Sequence, residues 1–564
     1  MPTFSLVDDP WLTLAPKGGG PPELHSGRHA VINAADFEGV VVELPTQAPA
    51  LLRQFFLPIV RSALAPPRGR SGWLERFRAG AFDKDEKERL NTYFDTHHDR
   101  FDLFHPRHPF AQVAGLRTTK DETKGSALLV ATAATGNNVP LFASRTEGDP
   151  LPLTPAEAAH WLLHTHCWDT AAIKTGAADD DQAKAGKTTG NPTGPLGQLG
   201  VVVPTGRNLY ETLLLNTPYR TGAIPGDKPQ WEQPPAGHTW KARGAHGLLD
   251  LWTWQSRRIR LVPQETDDGT IRVTRVIITA GDRLKETPDF EPHTAWSIPP
   301  TSKKTTQGPM RRPRRHQPGK AAWRGLDALL EADTRMSTGA GKTSAGFETS
   351  MLVDQLRDLG DALPHDYPIQ LEMTGMSYGT QSAVVDDVLF DAIPLPLTAL
   401  AADSPAREAL LEAAEQAEEL ARAINHLSAD LRRAAGADPI PWDKGQRPGE
   451  LLLHALDPLM RRLLTGLRKA GDDTDRVERG LLAWEQLAWR HANDIADQVV
   501  TAAAPGVFGG RTVDDNGRER TYRLATADDN FRFQLRRTLT RAVEAAEAAR
   551  RNTAKPQEDE DDDA

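Results

Sequence analysis

A chain of 564 residues is too long for one hydrophobic core and predicts two to four domains. Its net charge of -10 speaks against a nucleic-acid partner until the distribution is read: Glu558 to Asp563 is an unbroken acidic run of six, a solvating tail, and without it the charge is -4. Cys167 is the only cysteine, which excludes an intrachain disulfide and a Cys-rich zinc site. The start, Met1 to Trp11, lacks a basic region followed by an apolar core, and no later segment is apolar for long enough to span a bilayer. The expectation is a cytoplasmic protein with no membrane contact.

In chain order, the part up to about residue 395 mixes short strands, short helices and loops. Ala177 to Gly200 is a loop rich in Gly, Thr, Pro and Asp; Gly186, Gly190, Gly194 and Gly197 give it a backbone able to approach a partner closely. Val201 to Val203 reads as an apolar strand, and Asn208 caps a helix running to Leu215. Trp252-Thr-Trp-Gln-Ser-Arg-Arg-Ile-Arg-Leu261 threads two indoles and three guanidiniums onto one segment. That pattern suits base stacking and phosphate binding, or a strand with core Trp and solvated Arg. Arg258 to Val262 and Ile271 to Ile278 flank Asp267-Asp268-Gly269 and predict a hairpin. Pro292 to Leu326 contains no acidic residue while Lys303, Lys304, Arg311, Arg312, Arg314, Arg315, Lys320 and Arg324 supply eight positive charges, a candidate polyanion contact. A second hairpin is predicted from Ile369 to Phe390, with Ser377 to Thr380 at its tip.

Past residue 400 the periodicity changes to spacings of three and four. Ser404-Pro405 starts a helix whose seam is Leu410, Ala413, Ala417, Leu420, Ile424, Leu427 and Leu431. Glu450 to Ala470, with Pro458 inside, predicts a second helix, Val477 to Val499 a third, and Phe531, Leu535, Leu539 and Val543 a fourth; Gly506 to Arg523 is a polar insertion. The fold class expected is α+β: a mixed α/β domain over 1–395, a four-helix bundle over 396–552 and a disordered acidic tail over 553–564.

Catalytic signatures are nearly absent. Met336 to Thr343 matches the end of a phosphate-binding loop, with Met where the first Gly belongs, and gives the competing reading: a nucleic-acid-dependent P-loop NTPase using Ser337 to Thr343. The pairs His98-Asp99 and His365-Asp366 occur by chance among 17 histidines, and the spacing of His164, His166 and Cys167 is poor for zinc. No cofactor and no metal are expected.

Three separate segments together resemble one family, the large subunit of the type I-E CRISPR surveillance complex Cascade (CasA). They are Phe4 to Trp11, Arg100-Phe-Asp-Leu-Phe-His-Pro-Arg-His-Pro-Phe-Ala-Gln112, and Leu248 to Leu261; the carboxy-terminal bundle fits as well. The resemblance implies a non-catalytic subunit with guide RNA (crRNA), double-stranded target DNA and other Cascade proteins as partners, and a separate helicase-nuclease recruited to it. Guide RNA reads the target, while this subunit senses the short protospacer-adjacent motif (PAM) from the minor groove, where readout is degenerate. By the same resemblance Lys285 matches a lysine finger, Gly186 to Gly197 a glycine loop, and Gln381 a wedge flanked by Thr380 and Ser382. Phe142 and Ser144, in Asn137 to Ser144, match a loop recognising the guide-RNA handle. The basic run from Lys303 is expected to steer duplex DNA.

Overall fold

The structure is a computed structural model that describes residues 2–135, 151–298, 311–330, 346–441, 447–515 and 518–553. The chain divides into two compact units. One comprises Met1–Ala322, Glu331–Ala362 and Pro368–Ala392; the other comprises Trp323–Leu330, Leu363–Tyr367 and Ile393–Ala564.

The first unit is built on short mixed elements. Helix α1 (Pro155–Trp168) opens with a reciprocal capping box between Thr154 and Glu157 and a proline in its first turn. Nearly every later residue is buried, so α1 runs through the core rather than across the surface. Strand β1 (Val201–Thr205) buries its first four residues.

The first predicted hairpin is β2 (Arg257–Glu265) against β3 (Ile271–Ala280), antiparallel from Ile271 opposite Glu265 to Ala280 opposite Arg257 with a one-residue register shift between Val273 and Arg275. Gly269 at φ +78° makes the turn, and the Asp268 carboxylate accepts from the Thr270 amide. β3 also pairs with Lys124–Gly125 and Lys174–Thr175, and the latter continues to Lys187–Thr188. The second predicted hairpin is β4 (Gln370–Tyr378) with β5 (Val385–Pro394); β4 is also antiparallel to β1.

The second unit is helical. Helix α2 (Pro405–Ala434), capped by the Ser404 hydroxyl, buries the predicted seam and packs against α3 (Pro448–Ala470), α4 (Thr474–Thr501) and α5 (Leu524–Thr538). The predicted fourth helix is two. Leu539 leaves the helical region at φ -112°, ψ 66°, and α6 (Thr540–Thr553) starts beyond it. The cause is polar: buried Gln416 donates to the Thr538 carbonyl at 3.2 Å, and buried Glu485 accepts from the Ala542 amide at 2.9 Å and pairs with Arg541. These partners satisfy groups that a continuous helix would have bonded internally. The insertion holds a two-stranded ribbon, Arg511–Asp515 with Arg518–Tyr522. Trp323 packs wholly buried within this unit and donates from its indole nitrogen to Asp457. No helix among the described residues is long and apolar enough to cross a membrane.

Candidate nucleic-acid interface

The aromatic-basic segment from Trp252 is scaffold. Trp252 and Trp254 are each 1% exposed, and Arg257 and Arg258 are buried too. The expected alternation of core Trp and solvated Arg fails because both arginines have internal acceptors. Arg258 donates to Asp282 at 2.6 Å and to the carbonyls of Gly237 and Thr239. Asp282 also pairs with Arg243, and the Trp254 indole donates to its carbonyl at 2.9 Å. This cluster carries the short strand Arg283–Leu284, which lies parallel to Ala242–Arg243 and ends at Lys285, whose amide donates to the Arg243 carbonyl and whose side chain is exposed.

The glycine loop sits beside that strand. Arg283 donates to the Thr189 carbonyl at 2.7 Å and stacks over Trp240, 3.5 Å from the ring centre. Lys184 and Lys187 bond each other's backbone around Ala185 and Gly186, both at positive φ, a tight turn with exposed lysines at each side. Gly190, at φ +68°, is exposed. Gly194 and Gly197 are not available to a partner: both are buried. A side-chain carbon on Gly194 would lie 2.3 Å from the Cys167 carbonyl, and one on Gly197 would lie 2.3 Å from the Tyr378 hydroxyl. Their lack of a side chain serves packing of the loop onto the end of α1 and onto β4.

At the tip of the second hairpin, Thr380–Ser382 form one tight turn, with Gln381 and Ser382 both at φ +55°. Each costs about 1–2 kcal/mol in a non-glycine residue. Thr380 and Gln381 are exposed and Ser382 is half-buried. The Ser382 carbonyl accepts from the Ala171 amide at 2.8 Å, and the Tyr378 hydroxyl donates to the Trp168 carbonyl at 2.6 Å. Burial raises the Tyr378 phenol above its ordinary range, so it stays a donor.

Beneath these elements lies one charged group. Asp169 pairs with Arg257 and, at 2.6 Å, with Lys174. Burial pushes the Asp169 carboxyl up, and the two cations overcome it and hold the group at about 2. Burial lowers Lys174 despite the attraction of Asp169. Arg257 also donates to the carbonyls of Thr170 at 2.7 Å, Pro192 at 2.8 Å and Ser256 at 2.6 Å.

The basic segment is less basic in space than in sequence. Arg311 pairs with Asp289 and Glu348 and stacks over Trp296, so it is not a free phosphate ligand. Arg314 lies over the Phe347 ring, while Arg312 and Arg315 are exposed. Lys303, Lys304, Phe142, Ser144 and the Ser337 to Thr343 motif lie outside the described residues. The element that follows the motif is a strand, Gly346–Glu348, where a phosphate loop requires a helix. His164, His166 and Cys167 diverge, meeting the Thr46 hydroxyl, the Ala111 carbonyl and the Gln54 amide respectively. Among the described residues no group of three or more His, Cys, Asp or Glu is arranged to hold a metal.

The family model of CRISPR-associated protein Cse1 matches residues 5–495. The chain belongs to the Cse1 family. The crystal structure of Thermobifida fusca Cse1 is similar at 32% identity and a TM-score of 0.79, covering 96% of this chain and 99% of that one. CRISPR-associated protein CasA/Cse1 of Thermus thermophilus is 29% identical over 442 residues, 76% of this chain and 78% of its own. A chain of a CRISPR RNA-guided surveillance complex shares the fold at 21% identity and a TM-score of 0.64, covering 95% of this chain and all of that one. In this Cse1 family member, sequence reasoning missed Asp169, Lys174 and Tyr378. Nothing in Trp168-Asp169-Thr170 marks the carboxylate, because Arg257, the partner that ties it to β2, is 88 positions away.

Proposed function

We propose that this Cse1 family member is a non-catalytic subunit of a type I-E CRISPR RNA-guided surveillance complex that reads the PAM of duplex DNA from the minor groove and starts strand separation. Lys285 supplies a cation to acceptors on the groove floor, and the turn carrying Gly186 and the neighbouring Gly190 bring backbone close to the duplex. Gln381, with Thr380 and Ser382, presses on the first base pair beyond the PAM; unstacking costs about a few kcal/mol, which the PAM contacts offset. Guide RNA and the other Cascade proteins complete the machine, and a helicase-nuclease recruited to it does the cutting.

The observation that carries this reading is that three exposed features, Lys285, Gly190 and Gln381, come from distant stretches of chain yet are tied by hydrogen bonds to neighbouring backbone. Arg283 joins the first two, and Ala171 joins the hairpin tip to the segment that Arg257 fixes. An exposed polar side chain on a braced, strained turn suits a wedge. The test is binding of PAM-bearing duplex by the assembled complex. Lys285→Ala and Gln381→Ala should each assemble normally and bind the duplex at least about tenfold more weakly, a loss of about 1.4 kcal/mol. Parent-like binding by both variants overturns the proposal.

A further inference from the structure

We infer that Arg257 is the positioning residue that couples PAM contact to strand opening, by holding the glycine loop, the Lys285 strand and the Gln381 hairpin in one register. The inference rests on the wedge reading above and extends it from the exposed residues to the device that makes them act together.

Each of the three elements reaches Arg257 through short connections that are at least partly buried. The glycine loop is held directly, because the guanidinium donates to the Pro192 carbonyl at 2.8 Å, two residues beyond Gly190. The loop's next turn is held through Asp169: its carboxylate is the ion-pair partner of Arg257, and its carbonyl accepts from the Gly194 amide at 2.9 Å. The hairpin is held through Thr170, whose carbonyl accepts from Arg257; the next residue, Ala171, donates to Ser382 at the tip, and Trp168 on the other side of Asp169 receives the Tyr378 hydroxyl. The Lys285 strand is held through backbone. Gly281 donates to the Ser256 carbonyl at 3.1 Å, and a side-chain carbon on Gly281 would meet the Arg257 backbone nitrogen at 2.3 Å, so this approach admits only glycine.

A planar guanidinium suits this task because its five donors point in fixed directions. Arg257 uses them on one carboxylate and three carbonyls, in a side chain that is 1% exposed. Lysine can keep the charge opposite Asp169 but cannot reach Thr170, Pro192 and Ser256 together. Arg257→Lys therefore separates charge balance from geometry. With the register loosened, a wedge set against a closed base pair yields before the base pair does, whereas a duplex already opened beyond the PAM makes no demand on the wedge.

The experiment measures binding of the assembled, guide-loaded complex to two DNAs that share a PAM, one fully paired and one with a preformed bubble beside it. Arg257→Lys is expected to weaken binding of the paired duplex about tenfold and of the bubble less than about twofold, with assembly retained and the melting temperature of the protein lowered by the lost carbonyl bonds. An equal loss on both DNAs, or no loss on either, overturns the inference. Should Arg257→Lys fail to assemble, Tyr378→Phe decides: it deletes the hydroxyl with its bond to the Trp168 carbonyl and its longer one to the Met376 sulfur, and a loss confined to the paired duplex supports the coupling while any other pattern overturns it. Gln381→Ala is run beside them. If it shows no difference between the two DNAs, the wedge reading itself fails; if it does and Arg257→Lys does not, only the coupling fails.

Discussion

At the scale of single residues, the four loop glycines look alike in sequence and do different work. Gly190 meets only the Arg283 side chain, whereas Gly194 faces the Cys167 backbone, which cannot move aside. Gly194→Ala should cost about 1–3 kcal/mol of overpacking strain and lower the melting temperature of the protein. Gly190→Ala should cost about 1 kcal/mol for its positive φ and show its main effect on duplex binding. Calorimetry of the two variants checks this; an unchanged melting temperature for Gly194→Ala would mean that the loop does not pack as described. The tight packing was illegible because a glycine signals freedom without saying whether its use is a turn, a close internal approach or a ligand. Arg257 and Arg258 were illegible for a related reason: consecutive residues of a strand point to opposite faces, and here partly buried carboxylates from elsewhere in the chain await both.

At the scale of elements, α1 carries a pH response. Burial lowers His160 to about 4, His164 to about 3 and His166 to about 4, with Arg258 and Arg257 adding to the effect on His166. In the unfolded chain these groups titrate near 6.5, so below that pH the unfolded state binds more protons than the folded one. The stability they leave intact above pH 6.5 is lost as pH falls toward 4, on the order of 2 kcal/mol per histidine by pH 5. The melting temperature of the unit holding α1 should therefore drop between pH 7 and pH 5, and a flat profile would contradict the burial described. Elements whose signal is local were legible: the Asp-Asp-Gly turn of the β2–β3 hairpin, and the Ser404-Pro405 start of α2. The break between α5 and α6 was not, because the apolar seam continues through Leu539 while the polar groups that end α5 come from α2 and α4.

At the scale of the whole molecule, the periodicity shift near residue 400 announced a helical unit, but not that Trp323–Leu330 and Leu363–Tyr367 belong to it. Those short segments join by tertiary contacts, such as the Trp323 indole on Asp457, that leave no periodic trace. The charge pattern is incomplete in the same way: the run without acidic residues does not show that Asp289 and Glu348 fold onto Arg311, while Arg312 and Arg315 stay exposed. The net charge of -10 is likewise no obstacle to the proposed role, since recognition there depends on a few exposed groups on a rigid base.

In the proposed function, Gln381 opens the first base pair beyond a PAM held by the Lys285 side of the same unit. This opening is tested most directly with a fluorescent adenine analogue at that base pair, read while the guide-loaded complex is saturated with duplex. The parent complex should raise the signal only when the PAM is present, Lys285→Ala should raise it once DNA is saturating, and Gln381→Ala should bind without raising it. A parent-like rise from Gln381→Ala, or no rise from the parent, would contradict the account.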